Sequence, residues 1–126
     1  MQIINNILSK EQSKLSFRER QLILDYFCHL VNKEFNNFKK SFLLKEKSEI
    51  FEKAYLIEAY DNIRIRLLDL SFFVIFKLLK CYDNNFIDLM YNLDVTDGVS
   101  DYYDDIERSI LKEISKLNYE NNKKIA

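Results

Sequence analysis

The sequence predicts an all-α fold, a single compact bundle of four or five helices spanning residues 1–126, and two observations carry that prediction. The first is what the chain lacks: it has one Gly and no Pro in 126 residues. The tight turns that join β-strands draw on Pro, Asn-Gly and Asp-Gly, and Asp97-Gly98 is the only such pair present, which excludes an all-β fold. The second is periodicity, because apolar residues recur at three- and four-residue steps, the spacing of one face of a 3.6-residue helix. At 48% hydrophobic and 14% aromatic, a chain of this length has enough core to fold unaided and buries roughly two-thirds of its unfolded surface.

Residues 2–8 are expected to form a separate turn or short helix, followed by a weak capping box at Ser9-Lys10-Glu11-Gln12. A stronger box, Ser16-Phe17-Arg18-Glu19, opens the first long helix, because the Ser hydroxyl and the Glu carboxylate satisfy each other's backbone N–H groups. Its apolar face is Ile23, Phe27, Leu30, Val31, Phe35, Phe38 and Phe42. The stripe lapses at Lys45-Glu46-Lys47, and Ser48 is expected to cap a second helix carrying Phe51, Ala54, Tyr55, Ile63 and Leu67. Inside it, Ile63-Arg64-Ile65-Arg66 alternates like a strand, but four residues within a longer helical period do not outweigh that period. Ser71 is expected to cap a third helix, Phe72 to Tyr82, whose run Phe72-Phe73-Val74-Ile75-Phe76 is apolar on every side and therefore expected at the centre of the core. Asp83-Asn84-Asn85 caps a fourth, through Phe86, Leu89, Met90 and Leu93. After the Asp97-Gly98 loop, a last helix from about Ser100 carries Tyr103, Ile106, Ile110, Ile114 and Leu117, and the tail 118–126 is expected to fray.

Several chemistries lack their residues. The single histidine, His29, follows Cys28 directly, and neighbours on a helix point about 100° apart, so the two do not form a dyad; a pairing of His29 with Cys81 is left by the sequence alone. No Cys-x-x-Cys or His-x-x-x-His spacing provides for zinc. An EF-hand with Gly98 at its sixth position would place Leu93 and Val95 where oxygen ligands belong, which leaves only weak divalent-ion binding by Asp94, Asp97, Asp101 and Asp105 to consider. One glycine cannot build a phosphate cradle. The expectation is a protein that is not an enzyme and takes neither cofactor nor metal. The amino end, Met1 to Asn6, has no signal-like apolar run, and the greasiest stretch, Leu67 to Tyr82, is broken by Asp69, Lys77 and Lys80. A cytoplasmic location, reduced cysteines and no membrane partner follow as expectations.

Charge is segregated along a chain whose net charge is −1. Residues 1–47 hold nine bases against five acids, whereas Asp94 to Glu107 holds six acids and no base. That acidic stretch, with Asp94, Asp97, Asp101, Tyr102, Asp104, Asp105 and Glu107 as the candidate partner-binding residues, imitates a row of phosphates and suits a basic groove. Its plainer reading is a capped helix start, since carboxylates are stabilised in a first helical turn. Two other readings stand beside it: nucleic-acid binding by the basic first helix through Lys39, Lys40, Lys45 and Lys47 with Phe38 or Phe42 stacking, and a homo-oligomer paired through Phe35, Phe38 and Phe42.

Glu49-Ile50-Phe51-Glu52-Lys53-Ala54-Tyr55, Leu78-Leu79-Lys80, Phe86-Ile87-Asp88-Leu89 and Asp104-Asp105-Ile106-Glu107 follow one another in an order that resembles an uncharacterised small helical domain family found in phage and conjugative-element proteins of Gram-positive anaerobes. The resemblance covers residues 49–110, about half the chain, and the chain lacks the prolines the family pattern carries before its first helix and after the Leu-Leu-Lys segment. It implies a mobile-element setting and no catalytic residues. Together these readings lead to a small non-enzymatic accessory protein, an inhibitor that blocks a nucleic-acid-binding host defence protein through its acidic surface.

Overall fold

The computed structural model describes residues 2–97 and 107–117, and they are helix or connecting turn with no strand among them. In order they form α1 (Gln2–Leu8), a 3-10 turn (Gln12–Lys14), α2 (Phe17–Leu43), α3 (Lys47–Glu52), α4 (Tyr55–Leu68), α5 (Phe72–Cys81) and α6 (Phe86–Asp97). A further helical stretch over 107–117 is α7 here. The all-helical class is therefore as predicted, while the described residues hold more helical segments than the four or five expected. Asp97, expected in a loop, is the last residue of α6, while Gly98, the start of the last helix with Tyr103 and Ile106, and the tail 118–126 lie outside the described residues.

α2 begins where its capping box places it. Glu19 donates its N–H to Ser16 Oγ at 3.1 Å, and Ser16 donates its N–H to Glu19 Oε1 at 3.0 Å. Lys10 adds an ion pair to Glu19 at 2.6 Å, and this lysine with the Ser16 N–H holds the Glu19 carboxyl down at about 2. The box expected at Ser9 does not form. Ser9 instead donates its hydroxyl to the Asn6 carbonyl at 2.7 Å, closing the end of α1, and the 3-10 turn that follows has no side-chain cap.

The second predicted helix divides into two. Phe51 and Ile63 are twelve residues apart, about 120° away from a whole number of turns, so one straight helix cannot put both on one face. The chain breaks at Lys53-Ala54, Ile63 and Leu67 enter the core, and Phe51 and Tyr55 stay outside. Ser48 is not the cap; Glu46 occupies that position and makes no side-chain capping bond.

Ile23, Phe27 and Val31 of α2 form one wall of the core, facing Ile63 and Leu67 of α4, Val74 and Leu78 of α5, Phe86 and Ile87 of α6, and Ile110 and Ile114 of α7. Each such side chain contributes about 1.5–3 kcal/mol through burial. α5 is richly buried, as its composition predicts, but the hub is α2, which packs against α1, α4, α5 and α6. α4 runs antiparallel to α2: Phe38 stacks on Tyr60 with centroids 4.1 Å apart, and six residues earlier Asn32 accepts from Arg64 Nη1 at 3.2 Å.

Candidate functional site

Two of the predicted acidic residues, Asp94 and Asp97, fall in the last turns of α6, and Glu107 is the first described residue of α7. Asp101, Tyr102, Asp104 and Asp105 lie outside the described residues. Glu107 has a structural partner: Ser71 donates its N–H to Glu107 Oε1 at 2.9 Å. The cap expected from the Ser71 side chain is not made, and Glu107 satisfies the N–H of the capping residue itself. The ends of the acidic stretch are thus fixed, by α6 packing on α2 and α4 and by Ile110 and Ile114 buried in the core.

A polar cleft of about 520 Å³ opens between α2, α4 and the start of α6, lined by Lys33, Glu34, Asn37, Phe38, Tyr60 and Asp88 among others. Its floor is a joint. Asn85 takes a left-handed φ of 63°, a conformation Asn tolerates better than most residues, and turns the chain into α6. The Glu34 carboxylate then accepts the N–H groups of Ile87 at 2.9 Å and Asp88 at 3.1 Å, two of the four donors a helix start leaves unsatisfied. Burial pushes the Glu34 carboxyl above its ordinary value, against the pull of those two donors. Tyr60 donates its hydroxyl to Asp88 Oδ1 at 3.0 Å, and burial followed by this bond pushes the phenol up to about 12. No local motif marks this assembly, since Glu34 reads as one more acid among the bases of α2. Chemically the cleft offers a carboxylate already engaged by two amides and a phenol that stays protonated, which suits it to holding helices together.

Cys28 accepts a hydrogen bond from Asn32 Nδ2 at 3.4 Å. Burial pushes the Cys81 thiol up, opposed by Lys77 and Lys80, and that lowers its thiolate fraction. His29 is exposed. Among the described residues no group of three or more His, Cys, Asp or Glu side chains could hold a metal ion, and no helix is long and apolar enough to cross a membrane.

The aromatic residues in the second half of α2 are used internally. Phe35 and Phe42 are buried and Phe38 is stacked on Tyr60. Lys39 lies over the Phe35 ring at 5.2 Å and Lys45 over Phe42 at 5.6 Å, so these rings are committed to neither a nucleobase nor a second copy. Leu43 at 60% exposure, Leu44 at 87%, Phe51 at 88% and Tyr55 at 63% stay outside the core, as Phe17 does at the start of α2. Leu43 and Leu44 are out of phase with the buried face of α2, which ends at Phe42.

Comparison with protein-family models, with curated proteins and with solved structures found no match.

Proposed function

We propose that the protein is a small non-enzymatic accessory protein that binds another protein through the stretch Asp94 to Glu107. The observation that carries the reading is the charge of that stretch, six acids and no base in a chain of net charge −1. Carboxylates in a row complement a groove built for phosphates, and electrostatic complementarity of this kind supplies selectivity and fast association. Two supports come from the scaffold. Packing of α6 and burial of Ile110 and Ile114 anchor the ends of the stretch, which lowers the ordering cost of docking. The polar cleft has its acid and its phenol engaged in helix joints.

The partner class this chemistry selects is a nucleic-acid-binding protein with a basic groove, and the mobile-element resemblance of residues 49–110 gives the binding the form of inhibition of a host defence protein. The test is affinity capture with the tagged full chain from host lysate, with and without nuclease, beside a variant carrying Asp101→Lys, Asp104→Lys and Asp105→Lys. A stoichiometric protein that survives nuclease and is lost with the variant, whose helical circular dichroism is unchanged, is the expected result. Undiminished capture by the variant removes the acidic stretch from the account, and recovery of nucleic acid alone transfers the role to the basic face of α2.

A further inference from the structure

We propose that the groove bounded by α5, α7 and the 3-10 turn is a binding site for a medium-chain carboxylate, an apolar chain of about ten carbons ending in one negative charge. The proposal does not depend on the acidic stretch. The groove has a volume of about 590 Å³, within the range of roughly 300–1,000 Å³ that small-molecule sites occupy. Its walls are mainly apolar: Phe73 and Phe76 come from α5, and Leu111 and Ile114 from α7. Phe76 and Ile114 are buried and Phe73 is 44% exposed, so apolar surface continues from the core out to the mouth of the groove.

Charge selects the head group. The charged residues that line the groove, Lys77 and Lys80, are both bases, and both are held at its wall. Lys77 Nζ lies 4.2 Å from the centroid of Phe73, and Lys80 Nζ lies 4.7 Å from that of Phe76. Each ammonium thus sits over the ring one turn earlier in α5, the direction in which helical side chains lean. Neither lysine makes an ion pair among the described residues, and Glu113 of α7 is not part of the lining. Two cations without a carboxylate, set on an apolar wall, complement one anion that carries an apolar tail. A neutral apolar ligand would leave both charges unanswered, and a small inorganic anion would leave the apolar walls in water.

The length of the wall sets the length of the tail. From Phe73 to Lys80, α5 rises about 10 Å, and an extended chain advances about 1.2 Å per bond, so about eight to ten carbons span it. Cys81 also lines the groove. Burial keeps its thiol neutral, against the pull of Lys77 and Lys80, which makes it a soft contact for a hydrocarbon and a reporter of occupancy.

Calorimetric titration of the purified full chain with octanoate, decanoate and decan-1-ol, each below its aggregation limit, tests the proposal. Decanoate should bind at a single site, roughly tenfold tighter than octanoate, two buried methylenes being the difference. It should also bind about tenfold tighter than decan-1-ol, which has the same tail and no charge. Lys77→Gln combined with Lys80→Gln should remove the preference for the acid over the alcohol. Phe73→Ala, which shortens the wall, should weaken both ligands alike, by roughly fivefold. In a Cys28→Ser background, saturating decanoate should slow the reaction of Cys81 with a thiol reagent by about fivefold or more. Circular dichroism checks that each variant keeps its helices. No binding at about 1 mM, equal affinity for acid and alcohol, a preference unchanged in the lysine double variant, or Cys81 reacting at its free rate under decanoate would each overturn the proposal. With no decanoate bound, pelleting with phosphatidylglycerol vesicles would give the groove to a membrane surface, and a dimer lost in Phe73→Ala would give it to a second copy; either result overturns the proposal too.

Discussion

Glu34 looks unremarkable in sequence and yet closes the amino end of α6 across 53 residues of chain. Its two accepted N–H groups include that of Ile87, a fully buried residue. Removing the carboxylate strands these donors, so Glu34→Ala should lower stability by about 1–3 kcal/mol, read from the urea midpoint at pH 7. Protonation adds a test of sign. Burial raises the Glu34 pKa above its ordinary 4.5 in the folded protein, so the folded state holds this proton more tightly than the unfolded one. The resulting stability is fully present below pH 4.5 and is lost as the pH rises through the raised folded value. Glu34→Gln keeps an acceptor oxygen and cannot ionise; a urea series from pH 4 to 7 should therefore show a shallower decline for it than for the parent. Glu19 acts in the opposite direction. Its carboxyl is held near 2, so its contribution is present above 4.5 and fades only as the pH falls toward 2.

Helix ends were legible wherever the cap and the capped groups are sequence neighbours. The Ser16–Glu19 box is the clear instance, written within four residues and formed as written. Ser71 looks equally good in sequence, but the group that closes its turn is Glu107, 36 residues away. The two serines should then respond differently to the same change. Ser16→Ala removes an accepted N–H and should cost about 1 kcal/mol, a drop of roughly 3–5 °C in Tm. Ser71→Ala removes a side chain that makes no capping bond and should stay within about 0.5 kcal/mol of the parent. Equal losses in thermal melts of the two variants would mean that Ser71 caps α5 after all. The break between α3 and α4 was illegible for a related reason: no Gly or Pro marks it, and only the phase slip between Phe51 and Ile63 betrays it.

Across the whole chain, composition announced the helical class, but it could not say which of ten phenylalanines belong to the core and which to a surface. Phe27 and Phe51 are the extremes. Phe27 sits on a seven-residue stripe of α2, is 1% exposed, and meets Phe86 of α6 with ring centroids 5.1 Å apart. Phe51 lies on a helix too short to show a stripe, and nothing in its local sequence separates it from a core residue. Truncation distinguishes them. Phe27→Ala opens a cavity at the junction of α2 and α6 and should cost about 3–5 kcal/mol, a large share of the roughly 5–15 kcal/mol that holds a domain of this kind together. Phe51→Ala leaves no cavity, because the ring is 88% exposed, and should change stability by no more than about 0.5 kcal/mol. Urea midpoints of the two variants check the contrast, and a loss of several kcal/mol on truncating Phe51 would return that ring to the core.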